Sequence, residues 1–293
     1  MELKIVDPAA VPDWDARLLR TPGHSFFHTA AWARVLEASY RYRPAYIVGF
    51  ADKREEAGDA GGRMDVLMPF MTVSSALSGT RGVSLPFTDQ CPPLATTPEL
   101  FRAAFERALE YGKAAGWRYL EWRDAEPWFP KEPPYETYFA HHLDLAPDES
   151  DLQAGLNDSH RRNIKKAVKE GVSIVFEPSP DAMEAFCRLN DLTRKRHGLP
   201  PQPRSFFRNV RDEILLKGGG VLASAVYQGK IIASLVFFHF GRQAIYKYGA
   251  SDMAYQSLRA NNLVMWEAVR WYKSRDYESL SLGRTEESNE GLR

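Results

Sequence analysis

Residues 219–251 read GGVLASAVYQGKIIASLVFFHFGRQAIYKYGAS. Runs rich in Val, Ile, Phe and Tyr are separated by the polar turns at 228–230 and 241–243, a spacing that predicts three antiparallel strands. The middle run, IIASLVFFHF, is apolar almost throughout, as a strand covered on both faces is. The next segment, SLRANNLVMWEAVRWYKSRD, has its apolar residues at helical spacing, and ESLSLG returns to a strand. Strands, a helix and a closing strand make an α+β domain.

The upstream half has a similar outline. FFHTAAWARVLEASY (26–40) carries Phe27, Ala31, Val35 and Leu36 at helical spacing, with Thr29 as amino-terminal cap. Strands are expected in RPAYIVGFAD (43–52) and GRMDVLMPFMTVSS (62–75), joined by the polar loop KREEAGDAGG (53–62). TPELFRAAFERALEYGKAAG (97–116) is an amphipathic helix, capped by Thr97, with Pro98 in its first turn and Gly116 at its end. The strand WRYLEWRD (117–124) follows. The polar APDESD suggests a boundary near 148, dividing the chain into domains 1–148 and 149–293. In the second, helices are expected near 149–170, 181–197 and 204–217, with a strand in VSIVFEP (172–178).

The 293 residues carry 38 basic and 38 acidic side chains, so the chain has no net charge with which to coat nucleic acid or membrane nonspecifically. Any anion site must be local. Cys91 and Cys187 form no metal-ligand spacing or disulfide framework. The start, MELKIVDPAAVPDWD, lacks the basic and apolar regions of a signal peptide, and no apolar run reaches the length of a membrane span. A cytoplasmic protein without stable membrane insertion is expected. No phosphate-binding glycine loop, metal motif or nucleophile elbow is present.

Local positive charge concentrates in SHRRNIKKAVKEG (159–171), where Arg162, Lys165, Lys166 and Lys169 share one helix face beside Arg161. Such a run is either a solvated face or an anion site; glutamate partners at helical spacing are missing. TRKRHGLPPQPR (193–204) adds Arg196 and Arg204 around a helix end, where cations also complement the helix dipole. In AIYKYGAS, strand alternation puts Tyr246 and Tyr248 on one face and Lys247 on the other. Asp89, in LPFTDQCPPL, is a carboxylate that can orient an amine or accept its proton, or an Asx-turn residue. Arg284 and Glu286 lie just past a strand end, where open sheets bind ligands.

An ordered set of segments resembles the FemAB-like family, the Fem-type aminoacyltransferases of peptidoglycan cross-bridges, with their exopolysaccharide-associated relatives. The segments are FFHTAAWARVL, SLPFTDQCPPL, SHRRNIKKAVKEGV, TRKRHGLPPQPRSFF, AIYKYGAS and NNLVMWEAVRWYKSRDYESLSLGRTEESNEGL. They span nearly the whole chain. The resemblance implies two tandem acetyltransferase-like (GNAT) domains with a cleft between them. It also implies transfer of an amino acid from aminoacyl-tRNA to an amine of a phosphorylated cell-wall or polysaccharide precursor, without metal or resident cofactor.

Residue by residue, the resemblance points to Arg34 and Arg204 as phosphate-binding and to Tyr119 and Tyr248 as cleft tyrosines. Arg161, Arg162, Lys165 and Arg196 are further candidates for phosphates of the precursor or of the tRNA acceptor end. The family's Phe-Lys element would follow the final Gly-Leu, so a chain truncated at Arg293 is expected. Acetyltransferases hold the coenzyme A pyrophosphate with a Gln/Arg-x-x-Gly-x-Gly/Ala loop. Here QSLRAN (256–261) puts Arg259 and Asn261 at the glycine positions, which disfavours acyl-CoA as donor. An acyl-CoA-dependent N-acyltransferase of exopolysaccharide synthesis and a noncatalytic binder of envelope-glycan precursors are the other readings.

Overall fold

The apolar runs of the first half become sheet interiors because few of their positions face water. The computed structural model describes residues 2–51 and 62–287. The chain divides into two compact units between Thr137 and Tyr138. In the first, one sheet has the order β1 (Lys4–Val6), β3 (Tyr46–Phe50), β4 (Met64–Met68), β7 (Leu94–Ala95). The other has the order β2 (Arg43–Pro44), β5 (Met71–Ser75), β6 (Gly79–Ser84), β8 (Leu120–Trp122). The run 62–75, expected as one strand, breaks at Pro69 into β4 and β5, which join different sheets. The loop expected at 53–62 lies, apart from Gly62, outside the described residues.

The helices of this unit are α1 (Trp14–Leu19), α2 (Ala30–Tyr40) and α3 (Pro98–Ala114). The Thr29 and Thr97 side chains accept from the amides of Trp32 and Leu100, each at 3.3 Å, and so set the starts of α2 and α3. Phe26–His28 forms a separate single turn, so α2 starts later than the apolar spacing suggests. α3 buries Phe101, Ala104 and Ala108 against Ile47, Val66, Met68 and Phe70. It ends where Gly116 takes φ +72°, a left-handed conformation glycine adopts without strain.

The second unit holds a six-stranded sheet in the order β10 (Ser173–Phe176), β11 (Gly220–Tyr227), β12 (Lys230–Phe240), β13 (Gln243–Ser251), β14 (Ser279–Glu286), β9 (Tyr138–Asp144). β12 is buried from Ile232 through Phe238, as its unbroken apolar run requires. Because β9 pairs with β14, this unit begins before the boundary expected near 148. The polar APDESD instead supplies the link from β9 and the first turn of the following helix, with the Asp144 carboxylate accepting from the Ala146 amide at 2.9 Å.

Its helices are α4 (Glu149–Ala154), α5 (Asp158–Lys169), α6 (Pro180–Arg196), α7 (Arg204–Val210) and α8 (Ala260–Lys273). The single helix expected over 149–170 is two, because Gly155 closes α4 and the Asn157 side chain caps α5, accepting from His160 N at 2.9 Å. α7 runs on into a wider turn at Arg211–Leu215. One sheet face packs Phe237, Leu235 and Leu280 against Ile164 and Ala167 of α5 and Leu263, Val264 and Tyr272 of α8. Phe186 of α6 and Phe207 of α7 meet edge to face at 5.0 Å, and Phe206 and Phe207 pack on Tyr248 of β13. Among the described residues, no helix is long and apolar enough to cross a membrane.

Candidate active site

β13 pairs with β12 along its length but with β14 only at Gln243–Ile245, the parallel partners of Ser279–Ser281. Beyond that point β14 leaves β13 and stays with β9, helped by a register shift near Gly283, whose φ is +88°. The segment Tyr246–Ser251 therefore has no described strand on that edge.

A second register shift, at Val236/Phe237, changes the expected direction of the tyrosines. It sets Tyr246 opposite Phe237 and Tyr248 opposite Val236. Lys247 is the extra residue, so the two rings point to opposite faces instead of sharing one. Tyr246 joins the core under α8, and burial raises its phenol pKa. Tyr248, half-buried, stands edge to face with Phe206 and Phe207 at 5.9 and 5.4 Å.

Past β13, the Asp252 carboxylate accepts from Ala254 N at 3.0 Å and starts the tight turn Met253–Leu258. Arg259 then takes φ +60°, ψ +28°, and α8 begins at Ala260. A pocket of about 290 Å³ lies at this helix start. Arg196, Ser251, Gln256, Arg259, Asn261 and Asn262 form much of its polar lining. Three ties fix its walls. Asn261 Nδ2 donates to Ser251 Oγ at 3.1 Å, the Ser251 amide donates to Thr193 Oγ1 of α6 at 3.4 Å, and Lys230 meets Asp252 at 3.5 Å. Neither Arg196 nor Arg259 has a carboxylate partner among the described residues. Two guanidinium groups at the positive end of the α8 dipole suit anionic oxygens, while the Asp252 carboxylate in the same lining is met by Lys230.

The other cations of this unit separate into two sets. Arg204 binds Glu184 and, at 3.0 Å, Asp191. Arg161 binds Asp158 at 2.5 Å and donates to the Ala154 carbonyl at 2.8 Å, closing α4. For both, the phosphate-binding expectation is corrected: the protein's own oxygens already hold the guanidinium. Arg162 and Lys165 are exposed on α5 and have no ion pair among the described residues. The half-buried Arg284 stacks its guanidinium 3.8 Å from the Tyr138 ring centre, and Glu286 is exposed two register pairs further along, so both lie within β14 and not past its end as expected.

Residues 157–289 match the family of acetyltransferase (GNAT) domains. The crystal structure of FemX superposes with a TM-score of 0.74 at 12% identity, covering 98% of this chain and 90% of that one. A tandem GNAT protein from the clavulanic acid biosynthesis pathway gives 0.56 at 14% identity, over 99% and 92% of the two chains. L-PGS from Bacillus licheniformis gives 0.55 at 13%, over 98% and 80%. The fold is a FemAB-like tandem GNAT fold. No curated protein matches the sequence.

In the first GNAT-like unit, Arg34 lies on α2 near Asp15, whose carboxyl is raised by burial against the lowering effects of the Ala30 amide and Arg34. Tyr119 is 52% exposed just before β8, and Asp89 is half-buried in the loop after β6. The buried His28 and Cys91 tie loops together. His28 Nδ1 accepts from the Ser25 amide at 3.1 Å, so Nε2 carries the proton and donates to the Pro92 carbonyl at 2.9 Å. Burial holds His28 down to about 4 and raises the Cys91 thiol, so the pair at 3.8 Å is no nucleophile and base.

The pocket-lining Gln256, Asn261 and Asn262 were not expected as site residues. Their signal was present, however: polar residues packed between a strand end and an apolar-patterned helix.

Proposed function

We propose that the protein is an aminoacyltransferase of the tandem GNAT fold, moving an aminoacyl group from aminoacyl-tRNA to an amine of a phosphorylated cell-envelope precursor. The pocket where α8 begins carries this reading, because Arg196 and Arg259 line it without carboxylate partners and suit a phosphorylated carrier. The whole-length likeness to FemX and to L-PGS supports the same class of chemistry.

In this reading the amine nitrogen attacks the ester carbonyl carbon, an N–C bond forms and the C–O ester bond breaks. The amine proton is given up as the bond forms and is taken by the departing carrier oxygen. The protein supplies positioning and charge stabilisation. A thioester intermediate has no part in this reading, since burial pushes the Cys187 thiol up to about 11 and raises the Cys91 thiol as well. Use of charged tRNA makes the protein cytoplasmic.

One observation favours an acyl-CoA donor as the second reading. Arg259 adopts the left-handed conformation of a glycine, so the turn before α8 survives the loss of glycine from the loop. The side chains of Arg259 and Asn261 nevertheless line the pocket.

Incubating the protein with charged tRNA or acyl-CoA and amine-bearing peptidoglycan precursors, with products followed by mass, separates the donors. Transfer from aminoacyl-tRNA is expected. The R196Q/R259Q double variant should lower kcat/KM about a hundredfold with an unchanged melting temperature. Binding without transfer, or a double variant as active as the parent, would overturn the proposal.

A further inference from the structure

We propose that the outer face of α5 docks the protein reversibly on an anionic lipid surface. Arg162, Lys165, Lys166 and Lys169 are all exposed, and none has an ion pair among the described residues. At 3.6 residues per turn they fall within an arc of about 100° and along about 10 Å of helix. The opposite side of α5, Ile164 and Ala167, is packed into the core, so the cations occupy its outermost face.

The helix's own carboxylates do not answer them. Asp158 is engaged by Arg161, and Glu170, the carboxyl-terminal cap one turn past Lys166, forms no ion pair among the described residues. In a chain without net charge this is a concentration of positive charge that only an external anion can neutralise.

Two features favour a lipid surface over nucleic acid. Lysines outnumber arginines, and apart from His160 α5 offers no ring on which a base could stack. On the flank of the stripe Val168 is 58% exposed, an aliphatic group suited to the boundary between headgroups and acyl chains. The docking is electrostatic and superficial, which agrees with the lack of a membrane-crossing helix among the described residues. It stands apart from the transfer reading, since its readout is binding.

Co-sedimentation with vesicles tests it. The protein should sediment with a phosphatidylglycerol–phosphatidylcholine mixture, not with phosphatidylcholine alone, and should be released by salt. Each neutralised charge should weaken binding about fivefold, so R162Q/K165Q/K166Q/K169Q should lose more than about a hundredfold. If that variant melts early, K165Q and K169Q singly should each give the fivefold loss at the parent melting temperature. Equal binding to neutral vesicles, or wild-type sedimentation of the charge-neutralised variants, would overturn the proposal. So would capture of duplex RNA through the stripe by a protein that ignores the vesicles.

Discussion

Arg204 and Arg259 are both exposed arginines in the second unit, each close to a helix start, yet their surroundings differ. Arg204 is gripped by Glu184 and Asp191 of α6. Arg259 opens into a pocket beside Arg196 and meets no carboxylate among the described residues. Residue type and exposure do not distinguish them; what the fold places opposite each does. A cation answered from within contributes to stability, whereas one left open is available to a ligand. The same contrast separates His28, satisfied on both ring nitrogens, from the polar residues of the pocket.

The largest expected effect lies on the answered side. His28 is held at about 4 against an ordinary 6.5, so between those values the unfolded chain binds the proton that the folded protein refuses. Stability therefore rises with pH through this window, and about 3 kcal/mol is lost on going from pH 7 down to 4. Denaturant unfolding across that range, compared with H28Q, isolates the term. The difference between the two curves should slope through the window, and parallel curves would show that His28 is not buried neutral.

A smaller effect tests the opposed tyrosines of β13. A Cβ on Gly249 would overlap the Tyr246 hydroxyl and come within 3.1 Å of Leu235 Cδ2. Gly249→Ala should therefore cost about 1–3 kcal/mol, as overpacking of a filled core does. Tyr246→Phe removes the overlapping oxygen and should recover most of that loss in the double variant. If instead Tyr248→Phe rescues Gly249→Ala, the register shift is misplaced and both rings share a face after all.

The α+β outline was legible because β12 is apolar along its length and α3 carries a capping threonine, a first-turn proline and a terminal glycine. What escaped depends on single-residue register and on distant partners. One extra residue at Lys247 reverses the side-chain alternation, and no propensity announces it. Glu184 and Asp191 precede Arg204 by 20 and 13 residues, a separation that helical i,i+4 bookkeeping never inspects. Arg259 reads as an obstruction by analogy with a glycine loop, while the backbone takes the left-handed turn regardless. Of the expected phosphate ligands only Arg196 lines the pocket; the side chains around it were legible only as a polar interval.

The smallest effect bears directly on the opening comparison. Arg204→Gln breaks two contacts, but the three side chains are largely exposed, so water screens the charges and the loss should stay below about 1 kcal/mol. Its diagnostic value lies in a divergence. With Arg204 already matched, Arg204→Gln should slightly lower the melting temperature and leave kcat/KM unchanged, whereas R196Q/R259Q should do the reverse. Measuring both quantities on both variants tests whether internal carboxylates or ligand contacts define each cation's role. An Arg204→Gln variant that keeps its melting temperature but loses transfer would mean that substrate displaces Glu184 and Asp191, and the distinction between answered and open arginines would no longer hold.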